Sequence, residues 1–422
     1  MTGGQIGNVD LVKQLNSAAV YRLIDQQGPI SRIQIAELSH LAPASVTKIT
    51  RQLLEYNFVQ EVAQQASTGG RRAISLTTQV TQFHSIAVRV GRDYIQLSLH
   101  DLSGEVLTKA ESSIQYSNQE QLVGQLIDKI KLFKASLEGS DYNLIAIGVT
   151  LPGLVNPDEG EVQYMPNTKI DHLPLGKILQ EQFQLECFVG NDIRAMALAE
   201  HYFGATRDCM DSVLISVHRG TGSGIMAGGQ VFLGSNRNVG EIGHIQIDPL
   251  GEQCQCGNFG CLETVAANPA IIKGVKTRLA RGYNSTLSDE PNITIKTICD
   301  HALLGDALAT QSIVRVGVQL GKAIAIVINL FNPQKIVLAG DITAAKELLF
   351  PAIQRNVNSQ SLTAFHKDLP IVSSELDQFP TMGAFAMVKR AMLNGMLLQK
   401  LMDSADSFAV GRLLTLNHFE TA

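Results

Sequence analysis

His244, Cys254, Cys256 and Cys261 follow one another as H-x9-C-x-C-x4-C, with Gly251, Gly257 and Gly260 between them supplying the tight turns that let four donors converge. Three thiolates and one imidazole are the donor set of a closed tetrahedral zinc site with no position left for water. The spacing therefore predicts one structural zinc ion per chain, not a Lewis-acid centre. Glu241 precedes His244 by three residues and Glu263 follows Cys261 by two, so a bound ion would hold two carboxylates in one place. Carboxylates paired beside an imidazole suit the vicinal hydroxyls of a sugar. Without the metal, the same residues would read as three buried thiols and two solvated loop glutamates.

The elements that must position these groups belong to a chain of 422 residues, 45% hydrophobic, long enough for two or three globular units. Cys187, Cys209 and Cys299 stand apart from the cluster, and six cysteines are too few for a disulfide scaffold, which favours metal ligation in a reducing compartment. The opening MTGGQIGNVD has no basic segment leading into an apolar one, and the most apolar run, Ala323 to Phe331, is far short of the roughly 20 residues that span a bilayer. A cytoplasmic protein without membrane insertion is expected. The net charge of -5 is uneven, because residues 1–80 carry seven Lys and Arg against five Asp and Glu. The polyanion binder is therefore expected at the N-terminal end.

Residues 1–80 carry the order of a winged helix-turn-helix. Leu11, Leu15, Ala18, Ala19 and Leu23 recur at helical spacing up to Gln27-Gly28-Pro29, where Gly and Pro end a helix. Ser31-Arg-Ile-Gln34 is a capping-box pattern that opens a second helix through Ile35, Ala36 and Leu38. Pro43 suits the first turn of a third helix, whose inward stripe of Val46, Ile49, Thr50 and Leu53 turns Ser45, Thr47, Lys48, Arg51 and Gln52 outward. Short polar and cationic side chains on one face suit a helix in the major groove, where small groups read base edges and cations neutralise phosphates. Phe58 to Val62 and Ala73 to Leu76 read as wing strands joined by 64–72, a tip with Arg71 and Arg72 for the minor groove. The candidate DNA contacts are Ser31, Arg32, Ala44, Ser45, Thr47, Lys48, Arg51, Gly69, Gly70, Arg71 and Arg72. A solvated helical bundle with a basic loop is the plainer alternative.

Val239-Gly-Glu-Ile-Gly-His244 followed by Cys254-x-Cys-Gly-Asn-Phe-Gly-Cys-Leu-Glu263 resembles the signature of the ROK family, which contains repressors, open reading frames and sugar kinases. The resemblance covers nearly the whole chain. Gly7 to Asn16, Leu41 to Arg51, Ser67 to Arg72 and His218-Arg-Gly-Thr-Gly222 are most similar to the N-acetylglucosamine-responsive repressors of the family, with its glucose-responsive repressors as the nearest alternative. The resemblance implies an actin-like (ribonuclease H-like) two-lobed α/β sugar-kinase fold after the N-terminal winged helix-turn-helix. The expected domains are 1–80 for DNA, 81–212 for the first lobe, 213–395 for the second lobe with zinc, and 396–422 as a C-terminal helical tail. Alternating segments at Ile86 to Val90, Tyr94 to Leu99, Leu144 to Leu151, Val213 to Val217, Gly224 to Val231 and Lys335 to Gly340 are compatible strands. Carried over residue by residue, the sugar contacts fall on Gly153, Asn191, Asp192, Glu241, His244 and Glu263, with Asn167 as a weaker candidate. Asp192 stands where the kinases hold the general base for the 6-hydroxyl.

A family kinase needs a first phosphate loop of the type Asp-x-Gly-Gly-Thr, and Arg89-Val-Gly-Arg-Asp93 stands in its place. A cation replaces the magnesium carboxylate, Arg92 replaces a glycine, and Asp93 would repel phosphate. The chain is therefore expected to be a sensor and not an enzyme, although Gly220-Thr-Gly222 survives as a second phosphate loop. If Asp192 faces a sugar 6-phosphate, a cation must offset the repulsion, and Arg194 and Arg219 are near enough in sequence to supply it. The expected function is a repressor of N-acetylglucosamine uptake and catabolism genes, bound to operator DNA as a homodimer or homotetramer and released by N-acetylglucosamine 6-phosphate. The alternatives are a glucose-type repressor sequestered by a membrane sugar transporter, and a bifunctional sugar kinase.

Overall fold

The structure, a computed structural model, describes residues 9–63, 74–166 and 168–404. At the N-terminal end, α1 (Val9–Gln27), α2 (Arg32–Ser39) and α3 (Pro43–Glu55) are followed by strands Val59–Ala63 and Ile74–Thr78. The strands pair antiparallel from Val59↔Thr78 to Ala63↔Ile74, and Ile30–Ser31 adds a short third strand beside Ile74–Thr78. The capping box that opens α2 forms as the sequence predicts: Gln34 N–H donates to Ser31 Oγ, and Ser31 N–H donates to Gln34 Oε1 at 3.0 Å. In α3 the buried residues are Val46, Ile49, Thr50 and Leu53, the stripe read from the sequence. The face of α1 differs from the expected one, because Leu11 and Leu15 are exposed while Ala18, Val20, Tyr21 and Ile24 are buried. Helical spacing gives the period, whereas the packing partners select which stripe is covered.

Two five-stranded sheets follow. In the first, the spatial order is Glu186–Asn191, Leu144–Leu151, His84–Val90, Tyr94–Asp101, Val106–Ser113. Its last three strands form an antiparallel meander, and His84–Val90 runs parallel to Leu144–Leu151. The second repeats the plan with Gln230–Val231, Thr221–Ala227, Ser212–Val217, Lys335–Ala339 and Ile371–Ser373. There an antiparallel hairpin abuts two parallel strands. Ser212–Val217 is buried along its whole length, with Val213, Ile215 and Val217 in the core of its unit, as expected of a strand covered on both faces, whereas the edge strand Val106–Ser113 is largely exposed. The hairpin strand of the second sheet begins at Thr221, three residues before the Gly224 expected from sequence, so Gly220-Thr-Gly222 forms the entry to a strand and not a free loop.

The described residues of 1–151, 158–189 and 384–422 form one compact unit, and 152–157 with 190–383 form the other. Within the second, Val213, Ile215, Leu320, Ile324, Ile328 and Ile336 belong to one apolar core. Its helix Ala307–Phe331 is long and apolar enough to cross a membrane by length and composition. Leu308, Ile313, Val316, Leu320, Ile324 and Ile328 bury one side of it in that core.

The helix Met382–Leu393, expected in the second lobe, instead groups mostly with the N-terminal part. Phe385 stacks on His100 with ring centroids 4.8 Å apart. One turn further, Lys389 Nζ is 2.5 Å from Asp25 Oδ1 of α1 and donates to Leu102 O at 2.9 Å. After another turn, Arg22 of α1 donates to Leu393 O at 3.1 Å. Three successive turns therefore join the first sheet and the helix-turn-helix through partners more than 280 residues away in sequence.

Candidate functional site

The turn Ile242–His244 lies against strand Thr221–Ala227 because two glycines permit it. A Cβ at Gly243 would stand 2.0 Å from Thr221 O, and Gly240, at φ 93, would place one 2.1 Å from Ser223 O. Leu262 N–H donates to Ile245 O at 3.0 Å, and Gln246 pairs with Cys261, which brings the histidine segment alongside the last cysteine. Cys254 N–H donates to Asn258 O at 2.7 Å and Gly257 N–H to Cys254 O at 3.0 Å, closing the knuckle between them.

The four predicted donors meet there, with their ligand atoms all within 4.8 Å of one another. Cys256 and Cys261 Sγ are 3.7 Å apart, and Cys254 Sγ is 3.7 Å from His244 Nδ1. Arms of about 2.3 Å to sulfur and about 2.0 Å to nitrogen give tetrahedral edges of roughly 3.8 and 3.5 Å, so both spacings fit one thiophilic cation. Burial pushes the Cys261 thiol up to about 12 and raises Cys254 as well. A cation is what would make such a group of sulfurs thiolate together. Coordination through Nδ1 leaves Nε2 of His244 for a second partner.

The expected sugar-site residues that are described belong to the same compact unit as this cluster. Asn191 caps the helix Asp192–Phe203 by accepting from Arg194 N–H at 3.0 Å, and its amide nitrogen donates to Gly153 O at 3.0 Å. Asp192 therefore sits at the first position of a helix, where a negative charge is favoured. Its Oδ1 accepts from Ile193 N–H at 2.9 Å. Glu263 Oε2 accepts from Thr221 N–H at 3.0 Å, a contact that Gly220 permits because a Cβ there would stand 2.8 Å from the same oxygen. Glu241 is exposed. Asn167 lies outside the described residues. Arg219 lines a cavity of about 700 Å³ with Asn268, Lys273, Lys276, Thr294 and Asp341.

Arg194 is placed differently from a ligand-facing cation. It is 6% exposed, and its guanidinium donates to Arg237 O at 2.7 Å, to Asn238 Oδ1 at 3.1 Å and, at 3.5 Å, to Val155 O. Burial lowers its pKa, while Glu241 and Asp192 act in the opposite direction. No local pattern marks Asn238 and Val155 as its partners, since they are 44 and 39 residues away.

The ROK family pattern matches residues 85–391. The chain belongs to the ROK family. It is 58% identical over 400 residues to the DNA-binding transcriptional dual regulator NagC of Escherichia coli strain K12, spanning 95% of this chain and 98% of that protein. A crystal structure of a ROK family transcriptional regulator, a homologue of the E. coli MLC protein, superimposes with a TM-score of 0.88 at 44% identity. It covers 93% of this chain and 100% of its own. The ROK family glucokinase from Streptomyces griseus, solved with glucose and AMPPNP, has a TM-score of 0.61 at 24% identity and covers 71% of this chain and 97% of its own. That likeness establishes a shared fold, and the winged-helix and actin-like architecture read from the sequence is the one found.

A second pattern, that of the MarR family, matches residues 15–65 of this ROK chain, the segment of α1, α2, α3 and the first wing strand. Ala44, Ser45, Thr47, Lys48 and Arg51 are all exposed on α3. Thr47 Oγ1 donates to Pro43 O at 2.8 Å, so towards a base it offers its lone pairs and its methyl group. Arg32 is drawn inward: it donates to Thr50 Oγ1 at 3.1 Å and pairs with Glu61 at 2.8 Å. Ser31 is occupied by the capping box. Gly69, Gly70, Arg71 and Arg72 lie outside the described residues.

Proposed function

We propose that this ROK protein is a transcriptional repressor of N-acetylglucosamine uptake and catabolism genes, released from operator DNA by N-acetylglucosamine 6-phosphate. The observation that carries the reading is the 58% identity along 95% of the chain to a DNA-binding transcriptional regulator. The exposed polar and cationic face of α3 supports it. The chain is a sensor and not a kinase. Consistent with that reading, Arg89 near the end of the strand His84–Val90 lies 5.9 Å over the Tyr94 ring, and a Cβ at Gly91 in the following turn would meet that ring at 2.4 Å.

In this reading α3 enters the major groove, Ser45 and Thr47 read base edges, and Lys48 and Arg51 neutralise phosphates. A structural zinc ion, held by His244, Cys254, Cys256 and Cys261, supplies charge and fixes the imidazole. Gly153, Asn191, Asp192, Glu241, His244 and Glu263 hold the sugar, and Arg219 offsets the charge of its phosphate. The protein acts in the cytoplasm as a homodimer or homotetramer on a two-fold operator. Release requires that the sugar favour one arrangement of the protein over another.

The test is a gel-shift titration of the full chain against hexoses and their 6-phosphates at fixed salt. Release by N-acetylglucosamine 6-phosphate, with free N-acetylglucosamine much weaker, is expected; equal release by both would remove the phosphate from the reading. Lys48→Ala should weaken binding to operator and to unrelated duplex alike and reduce the salt slope by about 1. An unchanged slope between 50 and 200 mM salt would remove Lys48 from the phosphate contacts.

A further inference from the structure

We infer that Arg194 is a positioning residue for the sugar site, a buried clamp that holds two ligand-bearing segments on the helix Asp192–Phe203, and not a contact for the ligand's phosphate. This rests on the site assigned above. Residues 153–155 supply Gly153 and Val155, and 237–241 supply Arg237, Asn238 and Glu241. The first runs into the short strand Leu154–Asn156, the second is neither helix nor strand, and each presents a carbonyl or amide oxygen to one guanidinium.

The clamp has two tiers. Asn191, one turn before Arg194, fastens the backbone: its amide nitrogen reaches Gly153 O, and its oxygen caps the Arg194 N–H. The Arg194 side chain then reaches further, to Val155 O in the short strand Leu154–Asn156 and to Arg237 O and Asn238 Oδ1 on the other segment. A planar fork can bind acceptors on two segments at once, and a lysine cannot reproduce that geometry. Arg237 adopts φ 63, a left-handed conformation that costs energy in a residue with a Cβ. A charge-assisted hydrogen bond to its carbonyl opposes its relaxation.

The position also explains why a cation is tolerated at 6% exposure. Glu241 and Asp192 are close enough to act on its charge, so the arginine neutralises two carboxylates that the sugar hydroxyls must approach. Its two terminal nitrogens are committed to protein oxygens. The phosphate is left to another cation, and Arg219 is the candidate already placed.

The test uses the full-length, zinc-loaded protein with Arg194→Lys, which keeps the charge, and Asn238→Ala, which removes one acceptor without touching the cation. Calorimetry would measure N-acetylglucosamine and its 6-phosphate separately, hydrogen exchange would follow the amides of 153–157 and 236–241 without ligand, and zinc content would report the integrity of the metal site. For Arg194→Lys, both ligands should weaken by the same factor, about tenfold for a lost charged hydrogen bond. The two segments should exchange faster, with zinc content and exchange in the helix Ala307–Phe331 unchanged. Asn238→Ala should show the same pattern at a smaller size. Loss confined to the 6-phosphate would overturn the inference, because it would make Arg194 a phosphate contact. Native exchange of these segments in both variants would overturn it as well. If the native protein binds neither sugar, the ligand assignment fails, and the exchange measurement still decides whether the clamp exists.

Discussion

Serine in place of Cys261 should leave the protein on operator DNA at sugar concentrations that release the native chain. Cys261 is fully buried, its Sγ lies 3.7 Å from that of Cys256, and it is paired with Gln246 beside the histidine segment. Loss of an outer partner alone costs metal affinity by about 10-fold to 100-fold, so loss of a primary thiolate should exceed about 100-fold. The expected results are a fall from one zinc per chain to a small fraction after dialysis against a chelator, and loss of sugar binding. DNA affinity should be near native, because α3 belongs to the other compact unit. The effect should pass through His244: with Nδ1 no longer fixed, the imidazole and the flanking Glu241 and Glu263 lose their common frame. Normal release of DNA by sugar from the zinc-depleted variant would end the structural-zinc assignment.

Methionine in place of Lys389 should destabilise the unit that contains the helix-turn-helix by about 3 to 5 kcal/mol. Nζ is 2.5 Å from Asp25 Oδ1, with the two side chains only 6% and 12% exposed. Removing the cation therefore leaves a carboxylate with little water to replace it, and it also withdraws the donor to Leu102 O. An exposed pair would contribute at most about 1 kcal/mol, so burial decides the size. Asp25→Asn combined with Lys389→Met should recover part of the loss, because the uncompensated charge is then gone. Denaturant unfolding of the single and double variants measures this. A single-variant loss under about 1 kcal/mol would mean that water reaches the pair.

Much of the site was legible in sequence where function depends on short-range spacing. The zinc donors span 18 residues and carry their turns with them. The face of α3 follows from helical period, and the cap of α2 from a four-residue pattern. What escaped depends on distant partners. Leu11 and Leu15 have the spacing of core residues and are exposed because no described element covers them. Arg194 has the charge expected of a phosphate ligand, yet its hydrogen bonds go to oxygens about 40 residues away. Lys389 finds its partner 364 residues upstream. The mutual placement of such residues is set by chain topology, which no local pattern encodes.

The helix Met382–Leu393 has a consequence during synthesis. A ribosome adding about 5 to 20 residues per second delivers Lys389 some 364 residues after Asp25, which is a delay of roughly 20 to 70 s. Throughout that interval the nascent α1 lacks the cation for Asp25, and Arg22 lacks the Leu393 carbonyl. The residues of the sugar and metal site, 153–263, emerge inside the same interval. A message broken anywhere before residue 384 therefore yields a chain in which Asp25 and Arg22 of α1 lack these two partners. The order of the chain makes synthesis of the helix Met382–Leu393 a condition for bracing α1 at these two residues.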